Sequence, residues 1–311
     1  MSHFIVTGGA GFIGSHLVDA LLAAGHSVTV IDDLSTGHRH NLDPRARLIV
    51  GDVADAQLMR DVIAGADGCF HLAAIASVAR GNEDWLGTHR TNLTGAISVF
   101  DAARAAGGVK VVYASSAAIY GRQAEAALHE ALLPAPLSAY GADKLGCELH
   151  GAVAWGVHGV PTCGFRFFNV YGPRQDPKSP YSGVISIFAD RIAAGRRITI
   201  DGTGAQTRDF IFVADIVRHL IAGMALLADA PGAHVFNACT GRATSVLELA
   251  EAIATAAGRP LDLAFGPPRP GDISSSLGNP HKAIAQLGIA AETPLAQGLI
   301  ATLAPQVALA A

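Results

Sequence analysis

A tyrosine and a lysine stand four residues apart in the segment Tyr140-Gly141-Ala142-Asp143-Lys144, and Ser116 precedes them in the chain. If the segment is helical, both side chains project from one face about one turn apart. A tyrosine hydroxyl is a poor base near neutrality, but an ammonium held beside it favours the phenolate. Such a pair can move a proton on and off a substrate hydroxyl. A Tyr and a Lys at this spacing are also common on a solvated helix surface, so other parts of the chain must decide between these readings.

The amino-terminal stretch predicts a strand, a glycine-rich turn and a helix. The apolar run Phe4-Ile5-Val6 precedes three glycines at three-residue spacing, and apolar residues at helical spacing follow. Without side chains, the backbone of such a turn can approach a pyrophosphate at the amino terminus of the helix. The next predicted strand, 27–31, ends at Asp32, which is placed to bind a ribose diol and to repel a 2′-phosphate. A dinucleotide site for NAD is therefore predicted, with Asp33 as the competing carboxylate. The residues assigned to the turn are Gly8, Gly11, Phe12, Ile13 and Gly14.

Strand and helix patterns alternate through the first half of the chain. Further strands are predicted at 48–53, 68–74 and 109–114, and helices at about 55–64, 84–106 and 140–158. This alternation predicts an α/β fold with a Rossmann-type doubly wound parallel sheet. Ligands of such sheets bind at the carboxyl ends of the strands. The additional cofactor-binding residues expected at those ends are Asp52, Val53, Leu72, Ala73 and Ala74.

Composition narrows the class of partner. Of the 311 residues, 50% are hydrophobic and 15% are charged, and the formal net charge is -4 without a long block of one sign. This composition indicates a well-buried globular protein and carries no electrostatic signature of nucleic-acid or membrane binding, so small molecules are the expected partners. The amino terminus enters a strand-like run without a leader pattern, and a cytoplasmic location is expected.

Cysteine and histidine patterns do not indicate a metal. The cysteines lack CxxC spacing and are too few for a disulfide framework, so reduced, buried thiols are expected. His38 and His40 lie in a polar, turn-rich stretch that is interpreted as a solvated loop, and there is no HExxH motif. No metal site is predicted. The four cysteines are Cys69, Cys147, Cys163 and Cys239.

The sequence TGGAGFIG at 7–14, the strand-end Ser116 and the Tyr140…Lys144 pair resemble the extended short-chain dehydrogenase/reductase superfamily. Within it, the chain is similar to the NAD-dependent epimerase/dehydratase family and its UDP-hexose 4-epimerase branch. The resemblance implies that Tyr140 removes the proton of the sugar 4-hydroxyl during hydride transfer to NAD, with Ser116 bonded to the same oxygen. It implies that Lys144 binds the nicotinamide ribose and that Asn92 supports Lys144. A surface or capping amide is the alternative for Asn92.

Two alanines disfavour related chemistries. In the resembling 4,6-dehydratases the catalytic threonine is followed by Asp and Glu, which supply the acid and base for elimination, and the decarboxylases keep the glutamate. Here Ala117 and Ala118 follow Ser116, and neither can exchange a proton. A UDP-sugar 4-epimerase is therefore predicted. A nucleotide-sugar reductase or dehydrogenase and a non-catalytic NAD-binding regulator are the alternatives.

The resemblance extends into a substrate domain. It implies that Asn169, Arg208 and Arg269 contact the nucleotide diphosphate and that Asp272 belongs to the Arg269 motif. It places Ser276 where a bulky tyrosine accompanies restriction to glucose and galactose, so a serine leaves room for a 2-acetamido group. A turn-capping amide and ordinary surface charge are the alternatives for Asn169 and for the two arginines.

Domain boundaries and assembly are also expectations. The NAD-binding domain is predicted at 1–172 plus about 210–239, and the nucleotide-sugar domain at about 173–209 and 240–311. A homodimer is expected from the likeness of helices 84–106 and 140–158 to an intersubunit four-helix bundle. Leu145, Leu149 and Val153 would lie in that interface or, alternatively, in the core of the chain.

Overall fold

The structure is a computed structural model that describes residues 1–176, 183–268 and 273–310, with side chains of the final helix described as far as 304. Its strands are β1 (His3–Thr7), β2 (Ser27–Asp32), β3 (Arg47–Val50), β4 (Gly68–His71), β5 (Lys110–Ser116), β6 (Thr162–Phe167), β7 (Asn169–Tyr171), β8 (Ile198–Asp201), β9 (Thr207–Phe212), β10 (Ala233–Ala238), β11 (Ala243–Ser245), β12 (Leu263–Gly266) and β13 (Ser275–Ser276). Its α-helices are α1 (Phe12–Ala23), α2 (Ala56–Ile63), α3 (Val78–Glu83), α4 (Trp85–His89), α5 (Gly95–Ala105), α6 (Ala139–His158), α7 (Val184–Ala193), α8 (Val213–Asp229), α9 (Val246–Ala257), α10 (His281–Leu287) and α11 (Leu295–Ala310).

Seven strands form one parallel sheet in the order β10-β6-β5-β4-β1-β2-β3. Successive strands run outward from β1 in both directions, so the sheet is doubly wound and the predicted fold class is confirmed. The strands are short, nearly continuous apolar runs because both faces of the sheet are covered by helices. One face packs with α1 and α8 in a core that includes Leu17 and Leu220. The other packs with α2, α5 and α6 around Ile5 and Val111.

A second group of elements has its own apolar core. Strand β9 pairs in parallel with β7 and β13 and antiparallel with β11, while β8 and β12 form a separate parallel pair. Helices α7, α9 and α11 enclose this core, which is centred on residues such as Ile192 and Leu249. Helix α10 contacts β10 and α8 of the larger sheet.

Several predicted elements differ from the observed ones. The helix predicted at 84–106 is divided into α4, a π-helical turn at Arg90–Thr94 and α5. The third strand ends at Val50, because Asp52 turns the chain by accepting the amide of Ala54 at 2.8 Å. Helices α3 and α10 and the short strands β11 and β13 were not predicted from the sequence. Over the described ranges, no helix is both long and apolar enough to cross a membrane.

Candidate active site

The tyrosine and lysine predicted to act together lie in the first turns of α6. Ser138 caps the helix by accepting the amide of Gly141 at 3.1 Å. The Lys144 ammonium lies 6.0 Å from the centre of the Tyr140 ring and donates to the carbonyl of Ala114 at 2.9 Å. Lys144 is only 2% exposed and Tyr140 is half-buried. A buried cation thus lies beside a ring whose hydroxyl could exchange a proton.

The turn that follows Ser116 lies against the start of α6, where the two backbones approach closely. It is the last residue of β5, and its hydroxyl accepts the amide of Ala118 at 3.1 Å to cap a 3₁₀ turn. The start of α6 rests on this turn, where a Cβ built on Gly141 would lie 2.8 Å from the carbonyl oxygen of Ala118. The hydroxyl proton of Ser116 remains available for donation, because a serine that accepts one bond can still donate another.

Asn92 lies inside the π-helical turn, fully buried. Its carbonyl oxygen accepts the amide of Ile75 at 2.8 Å, and its amide nitrogen donates to the carbonyl of Ile75 at 3.2 Å. Its backbone carbonyl accepts the thiol of Cys147 at 3.4 Å. The side chain of Asn92 therefore fixes the segment after β4. Its contact with α6 is made by the backbone carbonyl, to Cys147, three residues after Lys144.

The glycine turn fits a dinucleotide. Gly8 has φ +69°, and a Cβ built on it would lie 2.7 Å from the amide nitrogen of Ala73. A Cβ on Gly14 would lie 2.1 Å from the carbonyl oxygen of Gly8, so neither position has space for a side chain. Gly11 occupies the N-cap of α1 and supplies no side-chain cap to the first-turn amides. Phe12 and Ile13 begin the helix. These are the properties of a phosphate-binding helix terminus.

Asp32 lies at the end of β2 and is buried. Its two oxygens accept the amides of Ala10 and Leu34, each at 2.9 Å. Burial, opposed by these bonds, raises the pKa of Asp32. Leu34 has φ 60°, a left-handed conformation that is uncommon for a residue other than glycine. The competing Asp33 is exposed and bonds its own neighbour Ser35. Of these two adjacent carboxylates, that of Asp32 is the one buried at the carboxyl end of β2.

The other predicted cofactor residues lie along the same rim. Leu72, Ala73 and Ala74 follow β4, and the amides of Leu72 and Ala73 are bonded to the backbone carbonyl and the hydroxyl of Thr7 at 3.1 and 3.2 Å. Together with the Asn92 bond to Ile75, this holds the segment against Gly8. Beyond β3, Asp52 pairs with the exposed Arg90 at 2.6 Å, and Val53 packs into the core under α5.

Three residues predicted to bind the substrate lie on β9 and the strands paired with it. Arg208 and Ser276 are paired in the register of β9 and β13, and Arg208 donates to the carbonyls of Thr207 and Ile273 at 2.8 and 2.7 Å. Asn169 donates to the carbonyl of Asp209 at 3.1 Å. Arg269 and Asp272 lie outside the described residues.

Two groups of buried polar side chains near the site were not predicted from the sequence. His71 is paired with Thr7 at 2.8 Å between Nδ1 and Oγ1, and burial, reinforced by the charge of Lys144, lowers its pKa to about 3. Glu148 forms a two-bond ion pair with Arg166. Alternation along β4 indicates that His71 points into the protein, and the four-residue step from Lys144 indicates the same for Glu148. Neither pattern indicates the partner residue.

The cysteines are buried and the His38 and His40 pair is exposed, as the sequence indicates. All four cysteines are buried free thiols. His38 and His40 are exposed, and their rings stack at 5.1 Å. Within the ranges that the structure covers, no three His, Cys, Asp or Glu side chains gather so as to hold a metal ion.

Comparisons with known proteins agree with this arrangement. The chain matches the NAD dependent epimerase/dehydratase family over residues 4–239. It is 38% identical over 307 residues to a UDP-glucose 4-epimerase of Mycolicibacterium smegmatis, and the aligned region covers 96% of each chain. A solved UDP-glucose 4-epimerase of Thermotoga maritima with UDP-glucose matches with TM-score 0.94 and 33% identity, over 99% of this chain and 100% of that one. A UDP-N-acetylglucosamine 4-epimerase from Methanobrevibacter ruminantium M1, in complex with UDP-N-acetylmuramic acid, matches with TM-score 0.93 and 32% identity over 99% of each.

The doubly wound sheet and the residues at its rim thus define an extended short-chain dehydrogenase/reductase. Within that class, the chain belongs to the NAD-dependent epimerase/dehydratase family, and its cofactor is NAD. The family resemblance seen in the sequence is confirmed.

Proposed function

We propose that the chain catalyses the reversible 4-epimerisation of a UDP-hexose through a transient 4-keto sugar. The observation that carries this proposal is the packing of the start of α6, which bears Tyr140 and Lys144, against the turn that follows Ser116. Support also comes from relatives that are UDP-glucose and UDP-N-acetylglucosamine 4-epimerases.

In this proposal, Tyr140 accepts the proton of the sugar 4-hydroxyl and later returns it. Lys144 would bind the nicotinamide ribose, and its ammonium lies 6.0 Å from the centre of the Tyr140 ring. Ser116 donates to the sugar oxygen and orients it for proton transfer. Bound NAD supplies a reversible hydride acceptor. Gly8, Gly11 and Gly14 would hold the pyrophosphate, and Asp32 the ribose. No net oxidation results when the sugar regains both proton and hydride with the opposite configuration.

Incubation of the purified protein with UDP-galactose and UDP-N-acetylgalactosamine tests the function. Formation of a 4-epimer without net reduction of NAD is the expected result, and Tyr140→Phe should abolish it while still binding NAD. Stoichiometric appearance of NADH would identify a dehydrogenase instead. Absence of any turnover with bound NAD would favour a regulator.

We propose that Ser276 admits a 2-acetamido group. Its side chain is small, and its strand lies against Arg208, which we assign with Asn169, Arg269 and Asp272 to the nucleotide diphosphate and its surroundings. Ser276→Tyr should lower kcat/KM for UDP-N-acetylgalactosamine relative to UDP-galactose by about tenfold or more, since specificity pockets discriminate at that scale. Ser275→Tyr is the matched control, because adjacent strand residues face opposite ways and Ser275 is exposed. Equal effects of both substitutions would contradict the assignment.

We propose a homodimer that forms through the outer face of α4 and α6. Leu149 and Val153 are 61% and 47% exposed, while Leu145 packs inward. Trp85 and Leu86 of α4 are 70% and 80% exposed. Exposed large apolar side chains gathered on neighbouring helices are typical of association sites.

The division into two domains remains part of this proposal. The NAD-binding domain comprises 1–172 and about 210–239, and the nucleotide-sugar domain comprises about 173–209 and 240–311. Separate apolar cores for the sheet and for the α7, α9 and α11 group support it. The cytoplasmic location predicted from the sequence also remains part of it.

A further inference from the structure

A continuous set of buried polar side chains runs behind the helix that carries Tyr140. Ser115 donates to Glu148 Oε1 at 2.5 Å, and Arg166 donates to both oxygens of that carboxylate at 2.9 and 2.7 Å. Arg166 also donates to the hydroxyl of Tyr120 at 2.8 Å, which in turn donates to Asn237 Oδ1 at 2.7 Å. All five residues are less than 9% exposed. We call these five residues the Glu148 network.

One end of this network adjoins the proposed catalytic residues. Glu148 follows Lys144 by four residues on α6, so the two side chains share the inner helix face. Ser115 directly precedes Ser116 on β5. The bond from Ser115 to Glu148 ties the end of β5, directly before Ser116, to α6. Together with the bond from Lys144 to the carbonyl of Ala114, it holds β5 in one register against α6.

The other end reaches the segment that follows Ser276. The side-chain amide of Asn237 donates to the carbonyls of Leu128 and Asn279 at 2.8 and 3.3 Å. Leu128 in turn donates to Leu277 O and accepts the amide of Asn279, both at 2.8 Å. The network therefore connects the helix of Tyr140 and Lys144 to the backbone beside the proposed sugar-facing residue.

Stability alone does not account for these residues. A buried ion pair recovers its desolvation cost only with good geometry, and apolar residues of similar volume often serve as well. A buried network whose members are bonded to one another instead specifies one arrangement of the elements that contribute to it. Here those elements include β5, β6, β10 and α6, and two of them, β5 and α6, carry the proposed catalytic residues.

We propose that the Glu148 network is a positioning device that fixes Ser116 against Tyr140 for the epimerase reaction. This inference rests on the proposed function. Tyr120 is its most selective probe, because its hydroxyl joins Arg166 to Asn237 while its ring packs against Phe168. Tyr120→Phe removes the hydroxyl and keeps the ring.

Tyr171→Phe is the matched control. Tyr171 is 1% exposed and lies in the second core, where its hydroxyl donates to Leu295 O at 3.4 Å. Tyr120→Phe should lower kcat about tenfold with KM little changed, since a small misplacement of reacting groups is costly. Tyr171→Phe should leave kcat unchanged. An equal loss in both variants, or no loss with Tyr120→Phe, would overturn the inference.

A double-substitution cycle with Ser116→Ala separates positioning from general loosening. If Tyr120 acts through Ser116, Tyr120→Phe should have little further effect on kcat once the serine hydroxyl is gone. Additive losses would show that Tyr120 acts elsewhere and would refute the inference.

If the unmodified protein epimerises no UDP-hexose, the proposed function fails, and crystal structures of the NAD-bound variants then test the positioning alone. The separation of Ser116 Oγ from the Tyr140 hydroxyl should increase in Tyr120→Phe and stay as in the parent in Tyr171→Phe. An unchanged separation in Tyr120→Phe would refute it.

Discussion

Replacement of His71 by asparagine should reduce the loss of stability on acidification. His71 is 2% exposed and is paired with Thr7, and among the described side chains its Nε2 has no hydrogen-bond partner. Burial, reinforced by the charge of Lys144, lowers the pKa of His71 to about 3. The folded protein therefore keeps this imidazole neutral beside the proposed catalytic lysine.

The sign and size follow from linkage. The unfolded chain protonates this histidine near its reference pKa of about 6.5, while the folded chain resists protonation down to about 3. Stability is thus greatest above the unfolded pKa and falls as the pH decreases toward the folded one. At about pH 5 the cost is about 2 kcal/mol, from 1.5 pKa units at about 1.36 kcal/mol each. This figure hardly depends on the folded pKa as long as it lies below about 4.

Urea unfolding of the NAD-bound protein at about pH 8 and about pH 5 measures the effect. Asparagine retains a polar group near the position of Nδ1, and the pH 8 comparison isolates any loss of packing. The parent should lose about 2 kcal/mol more than His71→Asn between the two pH values. Burial also lowers the pKa of His16 and His219, but both are present in each protein and cancel in the difference. Parallel pH dependences would refute the reasoning.

Three further substitutions test other parts of the structure. Gly8→Ala should weaken NAD binding by at least about tenfold in calorimetry, because the added Cβ would collide with Ala73. Gly25→Ala is the control: Gly25 has φ +82° and open space around it, so this substitution should lower stability but leave the affinity for NAD unchanged. Asp32→Asn should bring the Kd for NADP about tenfold closer to that for NAD, since it removes repulsion of a 2′-phosphate; an unchanged ratio would assign selectivity elsewhere. Leu149→Lys should yield monomers in analytical ultracentrifugation if the α4 and α6 face forms the dimer.

Sequence reasoning succeeded where a property is set by near neighbours. The glycine turn was predictable because three glycines, the preceding strand and the following helix are contiguous. The strand that ends at Asp32 and the helix predicted at 140–158 follow from periodicity in the same way.

It failed where distant residues meet. Tyr120 and Asn237 are 117 positions apart, and Thr7 and His71 are 64 apart. Periodicity gives the face on which a side chain lies but not the partner from another element. The predicted helix at 84–106 failed for the same reason, because the π-helical turn contains Asn92, whose side chain bonds the segment after β4.

In the proposed mechanism the charge of Lys144 acts on Tyr140, and the buried groups around the lysine favour that role. The neighbouring carboxylates of α6 have cationic or imidazole partners of their own, since Asp143 is paired with His89 at 2.8 Å and Glu148 with Arg166. His71 is kept neutral, so it adds no competing positive charge at physiological pH. The ammonium is left bonded to a neutral carbonyl and close to the tyrosine ring. Removing any one of these pairings would redirect part of the electrostatic effect of Lys144 away from the hydroxyl that the proposed reaction uses.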